Sequence, residues 1–108
     1  MEKCLWKGYI KEGCVDEYVK RHMNIWPELK DVLYKAGICN YSIWLNGNEV
    51  YGYYECRMGL EYAQKYQAQS EVVDRWNEYM KDILYMEFNP DTGAQQTLKE
   101  VFYWNRSV

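Results

Sequence analysis

Several patterns are scarce or absent in this chain, and each absence narrows its function. No stretch approaches the roughly 20 apolar residues that a membrane-spanning helix requires, and no charged segment followed by an apolar one opens the chain. The 108 residues carry 13 basic and 16 acidic side chains, a net charge of −3, and the basic residues do not cluster. Neither nucleic acid nor a membrane is therefore an expected partner. We expect a cytoplasmic protein.

The four cysteines do not form a metal-binding pattern. They are spread without a C-x-x-C pair, at Cys4, Cys14, Cys39 and Cys56. Tetrahedral zinc needs closely spaced ligand pairs, and only one histidine is present to supplement the thiols. We therefore expect no metal site, no cofactor, and free thiols in a reducing compartment.

Glycine and proline are also few, and they are scattered singly. No internal repeat, low-complexity tract or linker divides the chain. A length of 108 residues suits one folding unit. The sequence thus predicts a single domain over residues 1–108.

Aromatic residues are unusually abundant. Twelve tyrosines, five tryptophans and two phenylalanines make up 18% of the chain. Tyrosine and tryptophan combine a large apolar face with a polar group, which suits cores, interfaces and the binding of ring-shaped ligands. Most are expected to pack in the core or an interface, and a few could build a pocket for a sugar.

The only histidine, His22, lies on the apolar stripe of a predicted helix. Apolar positions recur every three or four residues from Val15, and Tyr18 lies one turn before His22 on the same face. Imidazole is the side chain whose ordinary pKa lies near neutrality, so His22 is the first candidate for acid–base chemistry. A hydrogen-bonded core histidine is the simpler alternative. If the helix ends just after His22, its dipole favours the protonated ring, whereas burial disfavours it.

Proline, glycine and serine indicate where the helical segments break. Pro27 lacks an amide hydrogen, so a kink or break is expected near residues 23 to 26. Gly37 is expected to end the second half of this segment as a left-handed cap. Farther along, a second helical region contains Ser70 as a predicted N-cap and continues at helical spacing to Ile83.

Four segments have the composition of strands. They are residues 4–11, 38–45, 49–57 and 97–104. The middle two flank Asn46-Gly47-Asn48, which is typical of a hairpin turn. Alternation along the second strand places on one face Cys39, Tyr41, Ile43 and Leu45. Residues 87–94 are expected to form a turn-rich loop.

The element order β-α-β-β-α-β predicts a ferredoxin-like α+β fold, in which two helical regions cover one face of a four-stranded sheet. The other face is expected to carry tyrosine, tryptophan and isoleucine rather than charges. Large exposed apolar faces are usually interfaces. Two such sheets packed face to face form a dimeric α/β barrel, so we expect a homodimer.

Several blocks of the sequence resemble the L-rhamnose mutarotase family over nearly the whole chain. The most specific runs from Arg21-His22 through Ile25-Trp26-Pro27-Glu28-Leu29. The others are Glu17-Tyr18, Asn40-Tyr41-Ser42-Ile43-Trp44-Leu45, Arg75-Trp76 with Tyr79-Met80, and Glu100-Val101-Phe102-Tyr103. The resemblance implies a cofactor-free isomerase, built as a dimeric α/β barrel, that interconverts the α and β anomers of a free monosaccharide.

The resemblance also implies roles for individual residues. His22 matches the family's proton donor, and Tyr18, Tyr41 and Trp76 match residues that contact the sugar. Asn77 stands where the family often has a second tryptophan, so the substrate is expected to be L-rhamnose or a related 6-deoxy sugar or uronate. One well-placed histidine, typically worth about 10²–10⁴-fold in rate, suffices for a reaction that already proceeds spontaneously in water.

Two other classes of protein remain open. The same barrel architecture hosts cofactorless monooxygenases and haem-degrading enzymes, and in a haem-binding protein of this kind a lone helical histidine such as His22 could ligate iron. A non-catalytic sugar-binding module, with His22 as a structural residue, is the other alternative. Carboxylate pairs for glycoside cleavage, phosphate-binding glycine loops and Ser/His/Asp signatures are not recognisable.

Overall fold

The computed structural model describes residues 1–86 and 97–105 as a small α+β protein with a four-stranded antiparallel sheet and four helices. The predicted α+β class is therefore confirmed, and the predicted loop at 87–94 lies outside the described residues. In the described ranges, none of the helices has the length and apolar character that crossing a bilayer demands. The elements are β1 (Glu2–Ile10), α1 (Val15–Met23), α2 (Pro27–Lys35), β2 (Ile38–Asn46), β3 (Glu49–Cys56), α3 (Leu60–Ala68), α4 (Glu71–Met80) and β4 (Leu84–Met86).

The sheet has the strand order β2-β3-β1-β4, and each neighbouring pair is antiparallel. The β2–β3 hairpin turns at Gly47, whose φ of 62° is a conformation that glycine adopts without strain. In the β1–β3 pair, Trp6 lies directly opposite Gly52. A Cβ at Gly52 would overlap the Trp6 indole, so the missing side chain is what lets this ring lie on the sheet.

Each of the two predicted helical regions consists of two helices. Met23 ends α1, and Pro27 opens α2 at a position where a missing amide hydrogen costs no helical bond. Gly37 follows α2 with a φ of 80°. In the second region the Val73 amide donates to the Ser70 hydroxyl at 3.3 Å, which caps α4. The break at Pro27 and the cap at Ser70 are confirmed.

The core lies between the sheet and the helices. Alternate residues of β1 and β3 point toward the helices, and all four helices contribute side chains to one apolar cluster. The largest fully buried side chains are Tyr18, Met80, Val50 and Cys56. Burial of one large apolar side chain contributes about 1.5–3 kcal/mol, so this cluster holds α1 and α4 on the sheet.

A β-bulge in β2 changes the predicted alternation of its side chains. The pairing register with β3 shifts between Cys39 and Ser42, where Asn40 has a positive φ of 51°. Because β2 has one extra residue at the bulge, the alternation of its side chains between the two faces of the sheet is out of step before and after this point. Cys39 therefore lies on the opposite face from Tyr41 and Ile43, and the prediction that they share a face is wrong.

The last strand also differs from the prediction. Thr97 makes a single bridge to Trp6, and residues 98–105 have no regular secondary structure. The fourth strand is instead β4, which pairs with the end of β1. β4 begins directly after Ile83, a residue that the sequence pattern placed in a helix. A composition rich in aromatic and β-branched residues favours a strand only where the surroundings suit a pleated surface.

The open face of the sheet carries charges as well as aromatic rings. Lys7 Nζ lies 3.3 Å from Glu49 Oε1, and the Tyr51 hydroxyl donates to Glu49 at 2.9 Å. Trp44, which is 67% exposed, pairs with Tyr51. The prediction of a face without charges is therefore wrong, because strand alternation also brings lysines of β1 and glutamates of β3 to this face. Their pairing leaves the aromatic rings as the main apolar surface there.

Candidate active site

A cavity of about 730 Å³ lies between the sheet and the helices. Its lining includes all five site residues predicted from the sequence and its resemblance, which are Tyr18, His22, Tyr41, Trp76 and Asn77. They come from α1, β2 and α4, which the fold brings together around one space. Cavities of this size are typical of small-molecule sites.

His22 lies in the last turn of α1, where its imidazole is held in one orientation. Nδ1 lies 3.1 Å from the carbonyl oxygen of Tyr18, and because a carbonyl only accepts hydrogen bonds, Nδ1 carries the hydrogen. In the neutral ring Nε2 therefore has the free lone pair. Burial lowers the pKa of His22 below its ordinary value, and the bond to Tyr18 opposes this only in part. At pH 7 the imidazole is neutral and Nε2 is a base.

Tyr18 packs against His22 from one turn earlier on α1. The two ring centroids are 4.3 Å apart, and Tyr18 is 2% exposed. Burial raises the pKa of Tyr18 far above its usual value, so its hydroxyl keeps its proton. Tyr18 thus supplies a neutral hydroxyl and holds the imidazole in place.

The β-bulge turns Tyr41 toward the cavity. Trp6 Nε1 donates a hydrogen bond to the Tyr41 hydroxyl at 2.9 Å, and the Tyr41 ring centroid lies 5.1 Å from that of Tyr54. Although the whole residue is 37% exposed, its hydroxyl lies inside the cavity, where burial raises its pKa. Because the oxygen already accepts from Trp6, the hydroxyl hydrogen is available to a ligand.

Trp76 and Asn77 form the wall that α4 contributes. The Trp76 ring meets His22 edge to face, with centroids 5.5 Å apart, and meets Trp26 in the same way at 5.1 Å. An indole presents an apolar surface to the C–H face of a sugar. The neighbouring amide of Asn77 offers both a donor and an acceptor for hydroxyl groups.

The structure adds cavity residues that sequence reasoning missed. Trp6 and Tyr54 form part of the floor, and Gln67 and Asp74 contribute polar groups from α3 and α4. The pairing of Trp6 with Gly52 indicates that this indole lies on the sheet, but the pairing is known only once the β1–β3 register is known. The polar pair has no such signal, because it reads as the solvated face of two helices.

No metal centre is evident in residues 1–86 and 97–105. No three side chains of histidine, cysteine, aspartate or glutamate are grouped there to hold an ion. All four cysteines are free thiols. The chemistry that the cavity lining offers is proton transfer by the His22 imidazole, hydrogen bonding by hydroxyl and amide groups, and charged groups from Asp74, Lys30 and Lys65.

Known proteins identify the family. The sequence model of L-rhamnose mutarotase matches residues 3–104. This chain belongs to the L-rhamnose mutarotase family. The L-rhamnose mutarotase of Lachnoclostridium phytofermentans is 38% identical over 108 residues, a match that covers 95% of this chain and 98% of that protein. The L-rhamnose mutarotase of Bacteroides thetaiotaomicron is 39% identical over 105 residues with the same coverage.

A solved structure extends this likeness to three dimensions. The crystal structure of L-rhamnose mutarotase from Formosa agariphila matches with a TM-score of 0.77 and 30% sequence identity. The match covers 97% of this chain and 100% of that one. The resemblance to L-rhamnose mutarotases seen in the sequence is therefore confirmed, in sequence and in overall structure.

Proposed function

We propose that this protein is a sugar mutarotase that interconverts the α and β anomers of L-rhamnose or of a related 6-deoxy sugar or uronate. The observation that carries the proposal is His22, a single imidazole with Nδ1 fixed and Nε2 free. It lines a cavity together with Tyr18, Tyr41 and Trp76, which offer hydroxyl groups and an indole. The named relatives support the substrate class.

Anomer exchange requires opening of the pyranose ring. The anomeric hydroxyl loses a proton, the bond between C1 and the ring oxygen breaks, and the ring oxygen gains a proton. Reclosure on the other face of the aldehyde gives the other anomer. Both oxygens are bonded to the same carbon, so one nitrogen within hydrogen-bond reach of both is able to serve each in turn.

We assign both proton transfers to Nε2 of His22. The neutral ring takes the proton of the anomeric hydroxyl, and the imidazolium so formed donates it to the ring oxygen. His22 is thus base first and proton donor second, and no net proton is gained or lost. The bond from Nδ1 to the Tyr18 carbonyl persists in both states, because Nδ1 carries a hydrogen in each.

The neighbouring residues bind the sugar. The hydroxyls of Tyr18 and Tyr41 keep their protons and hydrogen-bond to sugar oxygens, and Trp76 covers an apolar face of the ring. Ile25 and Leu33 are among the apolar side chains that line the cavity. They suit the methyl group of a 6-deoxy sugar, whereas the polar groups of α3 and α4 suit its hydroxyls.

The experiment that tests the proposal compares two neighbouring substitutions. His22→Gln removes the imidazole, and we expect it to slow the exchange of L-rhamnose anomers by about 10²–10⁴-fold. Met23→Gln changes the next residue, which is 80% exposed and lies outside the cavity lining, and should leave the rate unchanged. Saturation-transfer NMR measures both rates, and circular dichroism checks the fold.

The outcomes separate the alternatives. Wild-type exchange in folded His22→Gln protein would contradict the proposed mechanism and leave His22 as a structural residue. Sugar binding without acceleration by the wild-type protein would indicate a non-catalytic binding module instead.

The finer architecture is part of the same proposal. We infer a ferredoxin-like βαββαβ domain over residues 1–108, which pairs through its open sheet face into a dimeric α/β barrel. The strand order β2-β3-β1-β4 and a single helix-covered face support the ferredoxin-like assignment. Exposed aromatic rings such as Trp44 support the homodimer. Four free thiols fit a reducing compartment such as the cytoplasm.

A further inference from the structure

Arg21, the residue before His22, links α1 to the end of α4. Its guanidinium forms a two-point ion pair with Asp82, with Nη1 and Nη2 at 2.9 and 3.2 Å from the carboxylate oxygens. Nε donates to Glu17 at 3.0 Å, and Nη1 also donates to the carbonyl of Tyr79 at 2.8 Å. The side chain of Arg21 is 11% exposed. Its donors are therefore used in a largely buried, fixed geometry.

The contact with α4 meets a need of that helix. The last carbonyl groups of a helix have no partner within it, and they favour a nearby positive charge. The last turn of α4 contains no basic residue. Lys81 at the C-cap pairs with Glu78. Arg21 adds a charge and a hydrogen-bond donor from a different helix, which ties the end of α4 to the end of α1.

A series of aromatic contacts connects Arg21 to the cavity. The Arg21 guanidinium lies 4.2 Å from the centre of the Tyr79 ring. The Tyr79 ring contacts Trp76, with centroids 5.7 Å apart, and stacks on Trp26 at 5.6 Å. Trp76 in turn meets His22 edge to face. Arg21 therefore contacts the aromatic group that includes Trp76, the ring beside the imidazole.

We propose that Arg21 is a positioning residue for the mutarotase reaction, which holds Trp76 of α4 in its place beside His22, where both rings face the sugar site. The inference rests on the proposed function. Arg21 does not line the cavity. It acts by fixing where α4 ends relative to α1, and hence where the sugar ring lies relative to Nε2.

The partners of Arg21 allow a matched pair of variants. Asp82→Asn removes a negative charge that contacts Arg21 directly. Glu78→Gln removes a negative charge from the same end of α4, but Glu78 pairs with Lys81 instead, at 2.6 Å and with both side chains exposed. Arg21→Met removes all the polar contacts of Arg21 while keeping much of its apolar stem.

Two measurements follow each variant. The first is the rate of anomer exchange against sugar concentration, which separates kcat from KM. The second is the chemical shift of the His22 ring protons in the protein without sugar. With one histidine in the chain these signals need no further assignment. They report the position of the Trp76 ring, which lies perpendicular to the imidazole with the ring centroids 5.5 Å apart.

We expect Asp82→Asn to raise KM and move the His22 proton shifts, with a loss of about 3- to 10-fold in kcat/KM. Arg21→Met should lose up to about 100-fold, the size of effect that a misplacement near 1 Å produces. Glu78→Gln should match the wild type in both measurements. Partial unfolding alone would lower the apparent kcat in proportion to the unfolded fraction, and it would leave KM and the His22 chemical shifts of the folded protein unchanged.

Wild-type KM and wild-type His22 shifts in folded Asp82→Asn and Arg21→Met proteins would overturn the positioning role. The proposed function fails differently, through absence of exchange in the wild-type protein. In that case the His22 shifts still decide whether Arg21 positions Trp76.

Discussion

At the scale of single residues, the protonation of His22 is decided by two opposing effects. The end of α1 favours the imidazolium, typically by about 0.3–1 kcal/mol. Desolvation of a buried imidazole reaches several pKa units in the limit of full burial, so it outweighs the dipole. In the structure burial is the dominant influence, the hydrogen bond to the Tyr18 carbonyl opposes it in part, and the pKa of His22 is lowered. The neutral base is thus the resting state.

The rate of anomer exchange should therefore fall on the acid side of neutrality. Nε2 has its lone pair only above the lowered pKa of His22, so activity should be constant near pH 7 and decline below the ordinary value of 6.5. The NMR titration of the single histidine should show the same midpoint. A rate that instead rises as the pH falls through this midpoint would contradict a base-first mechanism.

Folding stability should have a related pH dependence. The unfolded chain protonates His22 near pH 6.5, whereas the folded chain does so only at lower pH. Between these two values the unfolded state binds more protons, so the free energy of unfolding decreases as the pH falls through this window. Urea unfolding should show this decrease in the wild-type protein. In His22→Gln the contribution should be absent.

Asn77 gives a test of substrate choice. Replacing Asn77 with tryptophan adds an indole to the cavity wall and should shift the preference among 6-deoxy sugars and uronates. An apolar interaction between this indole and one methyl-sized group of the sugar should change the activation free energy that kcat/KM reports by about 1–3 kcal/mol. Exchange rates measured for a panel of sugars decide the matter. An unchanged profile would place residue 77 outside the part of the cavity that the sugar occupies.

Residues on helices were the easiest to predict from the sequence. Helical spacing placed Tyr18 and His22 on one inward stripe, and the structure has both in the cavity. Tyr41 and Trp76 were assigned through family resemblance, and they also line it. Trp6 was missed because its contact with Tyr41 depends on which residues of three strands lie side by side, and local pattern carries no such information.

At the scale of secondary-structure elements, the bulge in β2 shows the limit of alternation. The break at Pro27 was predictable because proline acts through its own backbone. The bulge depends on one extra residue whose effect appears only after pairing with β3. β4 was missed for a similar reason, because three residues that follow a helical pattern carry too little signal to separate a strand from a continued helix.

The positive φ of Asn40 provides a test of the bulge. Asn40→Gly keeps this conformation accessible but loses the side-chain bond from Asn40 to Glu55. Asn40→Val loses the same bond and adds the strain of a β-branched residue at positive φ. We expect valine to be less stable than glycine by about 1–3 kcal/mol, measured by urea unfolding. Equal stability of the two variants would mean that the bulge does not persist in solution.

At the scale of the whole molecule, we expect a homodimer through the open sheet face. Light scattering after size exclusion at micromolar concentration should give twice the 13.1 kDa mass of one chain. Trp44→Glu should weaken the dimer, because it buries a charge in the proposed interface. Tyr34→Glu, at a similarly exposed residue of α2, should not. A wild-type monomer at these concentrations would remove the basis for the barrel.

The close fit of Trp6 over Gly52 means that the floor of the cavity tolerates fewer substitutions than the wall formed by α4. Any side chain at residue 52 displaces the indole that bonds to the Tyr41 hydroxyl, so a single substitution in this floor disturbs several groups at once. Asn77 on the α4 wall lines the cavity, so a different side chain at this position extends into the cavity space. Descendants of this protein that acquire a different sugar should therefore carry their changes on the helices and retain the glycine.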